Sequence, residues 1–304
     1  MTLLSVIVPS FNQGQYIRET LDSILAQEHR PLEVLVIDGG STDDTVDVLR
    51  SYGDLPELQW WSEPDQGVVD AVNKGLARVK GELVGIQSSD DAYAPGAFTP
   101  VVEAFRAAPE LGLVYGDVEY IDAASRTTGC THLPPFDLRQ YIGKRTYIPQ
   151  PAAFFTAAAM RAAGPWRADV SYAADAEFFL RIAERFPVRK LDRTLARYRY
   201  HPAQRDKEAT RIPRDWAKAI EPWTRHPDAL TRRSARAGIW MVHHAYTPET
   251  RWARRTYLLY RMIAADPSLL RHPDVRIREL IPLGSPLMRL LSRLKQSLGF
   301  RPRS

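Results

Sequence analysis

The first third of the sequence alternates short apolar runs with segments in which apolar residues recur at helical spacing. The apolar runs are residues 4–8, 32–37, 58–61 and 83–87. Continuous apolar runs are typical of parallel strands that are buried on both faces of a sheet. Parallel neighbours need crossover connections, and the helical segments between the runs can supply them. The sequence therefore predicts an α/β fold, doubly wound, with a mostly parallel central sheet flanked by helices.

Two of the expected helices carry capping signals. Asn12 is followed three residues later by Gln15, and Ser41 is followed three residues later by Asp44. In such a capping box the first side chain accepts a hydrogen bond from a backbone amide of the first helical turn. We therefore expect Asn12 and Ser41 to cap the first and second helices.

Polar turns follow the four apolar runs, and three of the turns carry carboxylates. The turns are residues 9–12, 38–42, 63–67 and 88–91. Ligands of open α/β sheets bind outside the carboxyl ends of the strands, where these turns should meet. The neighbouring carboxylates of Asp90 and Asp91 repel each other unless a cation lies beside them. Mg²⁺ or Mn²⁺ is the usual cation held by carboxylates together with substrate phosphates.

The turn after the second run joins one carboxylate to two flexible glycines. Asp38 can accept hydrogen bonds from a nucleobase edge or from ribose hydroxyls, or it can simply cap the turn that follows. The pair Asp90 and Asp91 has a similar alternative, because Asp is common in solvated turns. The sequence has neither the Gly-x-Gly-x-x-Gly fingerprint nor a Walker loop.

The remainder of the chain is organised differently. Strands are expected at residues 113–120 and 195–200, with a helix at residues 175–185 between them. Beyond the last of these strands, Arg, Ala, Trp and Leu recur at helical spacing. We therefore predict one α/β domain over residues 1–205 and a helical C-terminal extension over residues 206–304.

Charge is unevenly distributed along the chain. The first 122 residues hold 7 basic and 21 acidic side chains, and the remainder holds 34 basic and 15 acidic ones. Residues 281–304 contain five basic residues, no acidic residue and leucines on one helical face. Such a helix can bind an anionic membrane surface, or it can pack its leucines on the domain. The basic half can also be an ordinary solvated surface, and it has no nucleic-acid-binding motif.

The cysteine count and the hydropathy bear on location. Cys130 is the single cysteine, which excludes an internal disulfide and fits a reducing compartment. No apolar run reaches the length of about 18 residues that spans a bilayer, and the start has no basic signal-peptide region. We therefore expect a cytoplasmic protein, peripheral on the inner membrane face if the basic tail binds lipid.

Several motifs occur in a fixed order and spacing. They are Val6–Asn12, Val36–Asp43, Ser62–Gly67, Ser89–Asp91, Gln150–Phe155 and Ala174–Arg181. Together they resemble family 2 glycosyltransferases of the GT-A fold, over about residues 2–205. The resemblance implies inverting transfer from a nucleotide-diphosphate-sugar donor, with Mn²⁺ or Mg²⁺ as cofactor. It further implies a sugar or a lipid-linked saccharide as acceptor, in the synthesis of cell-surface polysaccharide or glycolipid.

The resemblance also implies roles for individual residues. Asp90 would approach the ribose or the sugar, and Asp91 would bind the metal on the diphosphate. Asp175 matches the position of the general base. The residues expected around the nucleoside are Pro9, Ser10, Phe11, Asp38 and Asp65.

Two further residues are candidates, and two positions depart from the pattern. Lys74 is a candidate neighbour of the diphosphate, or a surface lysine. His201 could reach the diphosphate, or it could be structural.

Ser88 stands where the family often has an acid, which leaves Asp91 as the expected side-chain metal ligand. Ala174 replaces the acidic or polar residue that often precedes the base.

A catalytically inactive scaffold that binds a nucleotide-sugar is the alternative function. Retention of both Asp91 and Asp175 argues against it, because a degenerate site has no reason to keep them. A nucleotidyltransferase would also use an α/β sheet and a metal. It would need a Gly-rich loop with Arg and Lys after the first strand, and the sequence has none there.

Overall fold

The computed structural model describes residues 2–202, 204 and 210–271. The chain divides into two compact units, one of Met1–Tyr141 with Thr146–Lys207 and one of Ile142–Arg145 with Glu208–Ser304. The predicted domain boundary between residues 205 and 206 stays a prediction. The basic amphipathic tail predicted at residues 281–304 lies outside the described residues.

Four parallel strands form one half of the sheet of the first unit, in the order β3-β2-β1-β4. The strands are β1 (Leu4–Ser10), β2 (Leu32–Asp38), β3 (Leu58–Ser62) and β4 (Leu83–Ile86). The helices between them are α1 (Ile17–Leu25), α2 (Thr45–Arg50) and α3 (Val68–Leu76). Every position of β1 and β2 is buried, as expected for strands covered on both faces.

The second half of the sheet is mixed, and its order continues β8-β6-β9-β5 from β4. Its strands are β5 (Ala92–Tyr93), β6 (Leu113–Ile121), β7 (Thr127–Cys130), β8 (Ala153–Thr156) and β9 (Val188–Arg199). Strand β8 is antiparallel to both of its neighbours, β6 and β9 are parallel, and β7 pairs with β6. The helices here are α4 (Phe98–Ala107), α5 (Leu138–Ile142), α6 (Ala157–Ala163) and α7 (Ala174–Ala183). The predicted α/β fold with a mostly parallel sheet is confirmed.

Aromatic side chains fill the core between the sheet and α4. The ring centroid of Tyr93 lies 4.9 Å from that of Phe98 and 5.4 Å from that of Phe154. Both phenylalanines are fully buried, and each such side chain contributes about 1.5–3 kcal/mol by leaving water. This packing fixes β5, which follows directly on the Asp90–Asp91 turn.

The predicted caps of α1 and α2 are wrong. Neither helix has a side-chain cap at its N-cap position. Asn12 has a φ of 53°, and its Oδ1 accepts a hydrogen bond from the Thr42 amide at 2.9 Å. The Ser41 hydroxyl donates to Asp38, and Asp43 accepts from the first amide of α2 at 3.0 Å. Because β1 and β2 are parallel neighbours, the Asn12 side chain reaches the turn after β2, and Asp43 rather than Ser41 bonds to the start of α2.

The second unit is helical over its described residues. Its helices are α8 (Arg211–Ala219), α9 (Ala229–Ala245) and α10 (Trp252–Ala265). Asp228 caps α9 by accepting from the Thr231 amide at 2.7 Å. Leu259 and Met262 of α10 are buried with Ala237 of α9. Among the residues that the structure describes, no helix combines the length and apolar character needed to cross a membrane.

Candidate active site

Asp38 ends β2 and is completely buried. Its Oδ2 accepts hydrogen bonds from the amides of Gly40 (3.2 Å) and Ser41 (2.9 Å) and from the Ser62 hydroxyl (2.6 Å). Its Oδ1 accepts from the Ser41 hydroxyl at 2.5 Å. These donors fold the turn, which is the alternative role that the sequence left open. A contact between Asp38 and a nucleoside stays a prediction.

Asp65 lies against the same turn. Its Oδ1 accepts a hydrogen bond from the Gly67 amide at 2.7 Å. A Cβ atom built on Gly39 would stand 2.8 Å from Asp65 Oδ2, so only glycine allows this approach. The structure thus brings the turns after β2 and β3 together, as the sequence predicted.

The turn after β1 presents an aromatic ring beside these carboxylates. Ser10 is the register partner of Asp38, and Pro9 is the partner of Ile37. Phe11 is 57% exposed, so its ring is available to stack on a planar ligand. The Ser10 hydroxyl is buried and has no hydrogen-bond partner among the residues that the structure describes. Roles for these three residues around a nucleoside remain predictions.

Lys74 lies on α3 and is held by two carboxylates. Its Nζ is 3.1 Å from Glu63 Oε1 and 3.3 Å from Asp70 Oδ2. The hydrogen bond with Glu63 is the main cause that raises the pKa of Lys74. The lysine is therefore a charged, paired residue at the rim of the β3 turn, and its proposed place beside a diphosphate stays a prediction.

Asp90 and His201 face each other. Asp90 Oδ2 lies 3.0 Å from His201 Nε2, although the two residues are far apart in sequence. His201 is 7% exposed, and its ring packs against that of Tyr16 with centroids 5.0 Å apart. The sequence placed both residues near the donor, and the structure brings their side chains together.

Asp91 has a different environment from Asp90. It is 2% exposed, and its Oδ1 accepts a hydrogen bond from the Arg199 amide at 2.8 Å. Its own carbonyl accepts from the Thr20 hydroxyl at 2.6 Å. Asp91 therefore ties the acidic turn to β9 and α1. Its predicted role as metal ligand stays a prediction.

Arg199 is a residue of the site that no sequence signal indicated. Its side chain is 1% exposed. Its Nε donates to the Asp90 carbonyl at 2.7 Å, one Nη to Glu19 at 2.6 Å and the other to the Ser125 hydroxyl at 2.8 Å. The guanidinium also lies over the Tyr16 ring, 4.7 Å from its centroid. Although burial opposes the effect, hydrogen bonds from Ser125 and Arg199 lower the pKa of Glu19.

Replacing this guanidinium should loosen the acidic turn. Arg199→Met removes a guanidinium that is 1% exposed, together with its hydrogen bonds to Glu19, the Asp90 carbonyl and Ser125. Losing a hydrogen bond that involves a charged group costs about 1.5–3 kcal/mol. We expect a lower melting temperature in differential scanning fluorimetry and weaker nucleotide binding. Arg197→Met is the matched control, because Arg197 also pairs with Glu19 but is 26% exposed, and partly solvated pairs contribute about 0–1 kcal/mol. Equal decreases in melting temperature and in nucleotide binding for the two variants would contradict a special role for Arg199.

Asp175 lies in the first turn of α7 and is partly exposed. The same turn of this helix is clamped, because Glu177 is buried and accepts hydrogen bonds from Arg181 at 2.8 and 3.0 Å. Burial, together with the Asp175 charge, raises the pKa of Tyr141. The predicted base is therefore a carboxylate on a fixed helix end, and its catalytic role stays a prediction.

Comparison with known proteins identifies the class. The chain matches the family described as Glycosyl transferase family 2 over residues 5–163. It is 35% identical over 184 residues to an uncharacterized glycosyltransferase of Mycobacterium tuberculosis, covering 59% of this chain and 68% of that protein. It is 28% identical over 192 residues to chondroitin synthase of Escherichia coli, covering 63% and 28% of the two chains. The chain belongs to the family 2 glycosyltransferases.

Solved structures agree on the fold. S. aureus TarS, in complex with UDP-GlcNAc, superposes with a TM-score of 0.65 at 18% identity, covering 88% of this chain and 82% of that one. The mannosyltransferase PcManGT from Pyrobaculum calidifontis, in complex with GDP-Man and Mn²⁺, superposes with a TM-score of 0.60 at 20% identity, covering 98% and 81%. At these identities the likeness shows the fold alone, which is of the GT-A type.

Proposed function

We propose that this chain transfers a sugar from a nucleotide-diphosphate-sugar to an acceptor hydroxyl with inversion. Family membership supports the transferase activity. The structural neighbours, which were solved with UDP-GlcNAc and GDP-Man, support a nucleotide-sugar donor. The observation that carries the proposal is the Asp90–His201 pair at the carboxyl ends of the parallel strands, where α/β sheets bind ligands. No observation favours the inactive scaffold.

A divalent cation, Mn²⁺ or Mg²⁺, fits the Asp90–His201 pair. A carboxylate is a ligand of both ions, whereas an imidazole suits a transition metal such as Mn²⁺ better than Mg²⁺, which takes oxygen ligands. In the described part of the chain no three His, Cys, Asp or Glu side chains form a metal-holding group. Two protein ligands would suffice if substrate phosphates supplied the others, as is usual for Mg²⁺. When bound, the ion would neutralise charge on the leaving diphosphate. Asp91, the ligand expected from the sequence, is the alternative that the variants in the Discussion test.

The chemistry of transfer assigns one step to Asp175. Its carboxylate accepts the proton of the acceptor hydroxyl as that oxygen forms a bond to the anomeric carbon. The bond between the anomeric carbon and the diphosphate oxygen breaks in the same step. The configuration at the anomeric carbon is thereby inverted, and the nucleoside diphosphate leaves. Phe11 would stack on the base, and Asp65 would accept hydrogen bonds from the base or ribose.

The acceptor belongs to the same proposal. We propose a sugar or a lipid-linked saccharide, in the synthesis of cell-surface polysaccharide or glycolipid. One relative is named a chondroitin synthase, which supports a polysaccharide product. An anionic membrane surface would be bound through residues 281–304, outside the described residues.

Nucleotide binding that depends on a metal is the direct test. The melting temperature of the full chain would be measured with UDP, GDP, UDP-GlcNAc and GDP-Man, each with Mn²⁺ or with EDTA. A ligand at 100 times its Kd stabilises by about 2.7 kcal/mol, so one nucleotide should raise the melting temperature by roughly 5–10 °C. ATP with Mn²⁺ controls for unspecific phosphate binding. If no diphosphate or nucleotide-sugar changed the melting temperature with Mn²⁺, the proposed function would fail.

A further inference from the structure

Four tyrosines of the first unit form one continuous aromatic surface, called here the tyrosine surface: Tyr120, Tyr147, Tyr198 and Tyr200. Tyr120 on β6 is the register partner of Tyr198 on β9. The ring centroid of Tyr200 lies 5.2 Å from those of both Tyr120 and Tyr198. The hydroxyl groups of Tyr120 and Tyr147 are 2.8 Å apart. These contacts hold the four rings in one arrangement.

The tyrosine surface is open to solvent. Tyr200 is 53% exposed and Tyr147 is 36% exposed. Among the described residues of the first unit, the other large apolar side chains with this exposure are Phe11 and Leu55. Exposed apolar side chains that gather in one place indicate a binding surface more often than scattered ones do. The donor functions proposed above use Phe11 and leave the tyrosine surface unexplained.

Strand β9 joins the tyrosine surface to the donor end of the site. Successive side chains of a strand point to opposite faces, so Tyr198 and Tyr200 share a face and Arg199 lies on the other. Arg199 holds the Asp90 carbonyl. The residue after Tyr200 is His201, whose ring nitrogen is 3.0 Å from Asp90. The Tyr200–His201 peptide bond therefore joins the tyrosine surface to the pair where the donor diphosphate is proposed to bind, and the two lie on opposite sides of the chain at the end of β9.

The chemistry of the surface matches a sugar ring. Each tyrosine offers a flat apolar face and a polar hydroxyl edge, and a pyranose offers an apolar C–H face bordered by hydroxyl groups. Burial and the hydrogen bond with Tyr120 raise the pKa of Tyr147, so its hydroxyl stays neutral. Every ring in the cluster carries a hydroxyl, which suits a saccharide better than a purely aliphatic ligand.

We propose that the tyrosine surface binds the acceptor saccharide, with a sugar ring stacked on Tyr200 and Tyr147. The proposal rests on the proposed glycosyltransferase function and adds the position and the chemical class of the acceptor. In this arrangement the acceptor would approach the donor past β9. Tyr200 and Tyr147 are then specificity-determining residues rather than catalytic ones.

Saccharide binding to the full chain can be measured by saturation-transfer difference NMR. The probes are methyl β-D-glucopyranoside, methyl β-D-galactopyranoside, N-acetylglucosamine, cellobiose and lactose, with the open-chain polyol mannitol as control. We expect saturation of the ring C–H protons of at least one cyclic sugar and none for mannitol. A contact with one aromatic ring is worth roughly 2- to 10-fold in affinity, so Tyr200→Ala and Tyr147→Ala should each raise the Kd by that factor.

Matched variants separate stacking from general damage. Tyr257 of α10 is also 53% exposed, and Tyr257→Ala should bind the sugar as the parent chain does. Tyr147→Phe keeps the ring and should keep most of the affinity, whereas Tyr200→Leu keeps apolar bulk without a flat ring and should lose it. If no cyclic sugar received saturation, or if the alanine variants at 147 and 200 bound like the parent chain, the acceptor proposal would be overturned.

The measurement of nucleotide binding by melting temperature distinguishes failure of the acceptor proposal from failure of the proposed function. Tyr200→Ala should keep the metal-dependent rise in melting temperature with the nucleotide, because the donor contacts are unchanged. If Tyr200→Ala loses sugar binding but keeps nucleotide binding, the acceptor proposal is supported. If Tyr200→Ala keeps both, the acceptor proposal alone is overturned. Absence of any nucleotide effect in the parent chain overturns the proposed function itself.

Discussion

Asp175→Asn is expected to lower kcat by roughly 10²–10⁴-fold, the contribution of a positioned general base. An amide has the size of the carboxylate but cannot accept the proton of the acceptor hydroxyl. The α7 turn that carries this residue is held by the Glu177–Arg181 pair, so the substitution should leave the fold intact. The rate is measured as release of nucleoside diphosphate from the donor, with a saccharide or water as acceptor.

The control for this variant is a carboxylate near α7 that has no proposed role in transfer. Asp169 pairs with Arg167 at 2.9 Å and is exposed, so Asp169→Asn should keep the parent rate within about twofold, since surface pairs contribute little. Nucleotide binding, followed by the change in melting temperature, should be the same in both variants. Near-normal turnover of Asp175→Asn would show that another group removes the proton.

The fold of the first unit could be predicted because its signals are local. Strands β1 and β2 are continuous apolar runs that end in polar turns, and such runs need neighbours on both sides. The acidic turns were found for the same reason, since the carboxyl ends of parallel strands share one edge of the sheet. The family resemblance then supplied the glycosyltransferase class, which the family match confirms, while the inverting reaction and its donor stay proposals.

What the sequence could not indicate depends on contacts between distant residues. Arg199 bonds to Glu19, Asp90 and Ser125, which lie 180, 109 and 74 residues away. A basic residue in a strand that alternates with tyrosines looks like a solvated position until those partners are known. The capping signal at Asn12 failed for the same reason, because the turn after β2 offers that side chain a closer partner.

Local sequence also cannot show which of two adjacent carboxylates reaches a ligand and which one stabilises the turn. Asp90 and Asp91 are equivalent as residue types, yet the first faces His201 and the second is buried against the β9 backbone. Only the positions of β9 and α1 decide which carboxylate can reach a ligand and which one holds the turn in place.

Asp90→Asn and Asp91→Asn should therefore affect different properties, the first the activity and its Mn²⁺ requirement and the second the stability. If Asp90 binds the metal with His201, Asp90→Asn should lower the rate by roughly 10²–10³-fold and raise the Mn²⁺ concentration needed for half-maximal activity. Its melting temperature without ligand should stay near that of the parent chain. Asp91→Asn weakens the buried acceptor of the Arg199 amide, which costs about 1–3 kcal/mol, so this variant should melt earlier.

The metal dependence of the residual activity decides between the two assignments. We expect Asp91→Asn to lose activity in proportion to its lost stability but to keep the Mn²⁺ requirement of the parent chain. His201→Ala should resemble Asp90→Asn, because it removes the other member of the facing pair. If Asp91→Asn instead lost its Mn²⁺ response while melting like the parent chain, Asp91 would be the metal ligand. The buried contact between Asp91 and Arg199 would then have to open when the donor binds, since a carboxylate that is 2% exposed cannot otherwise reach the diphosphate.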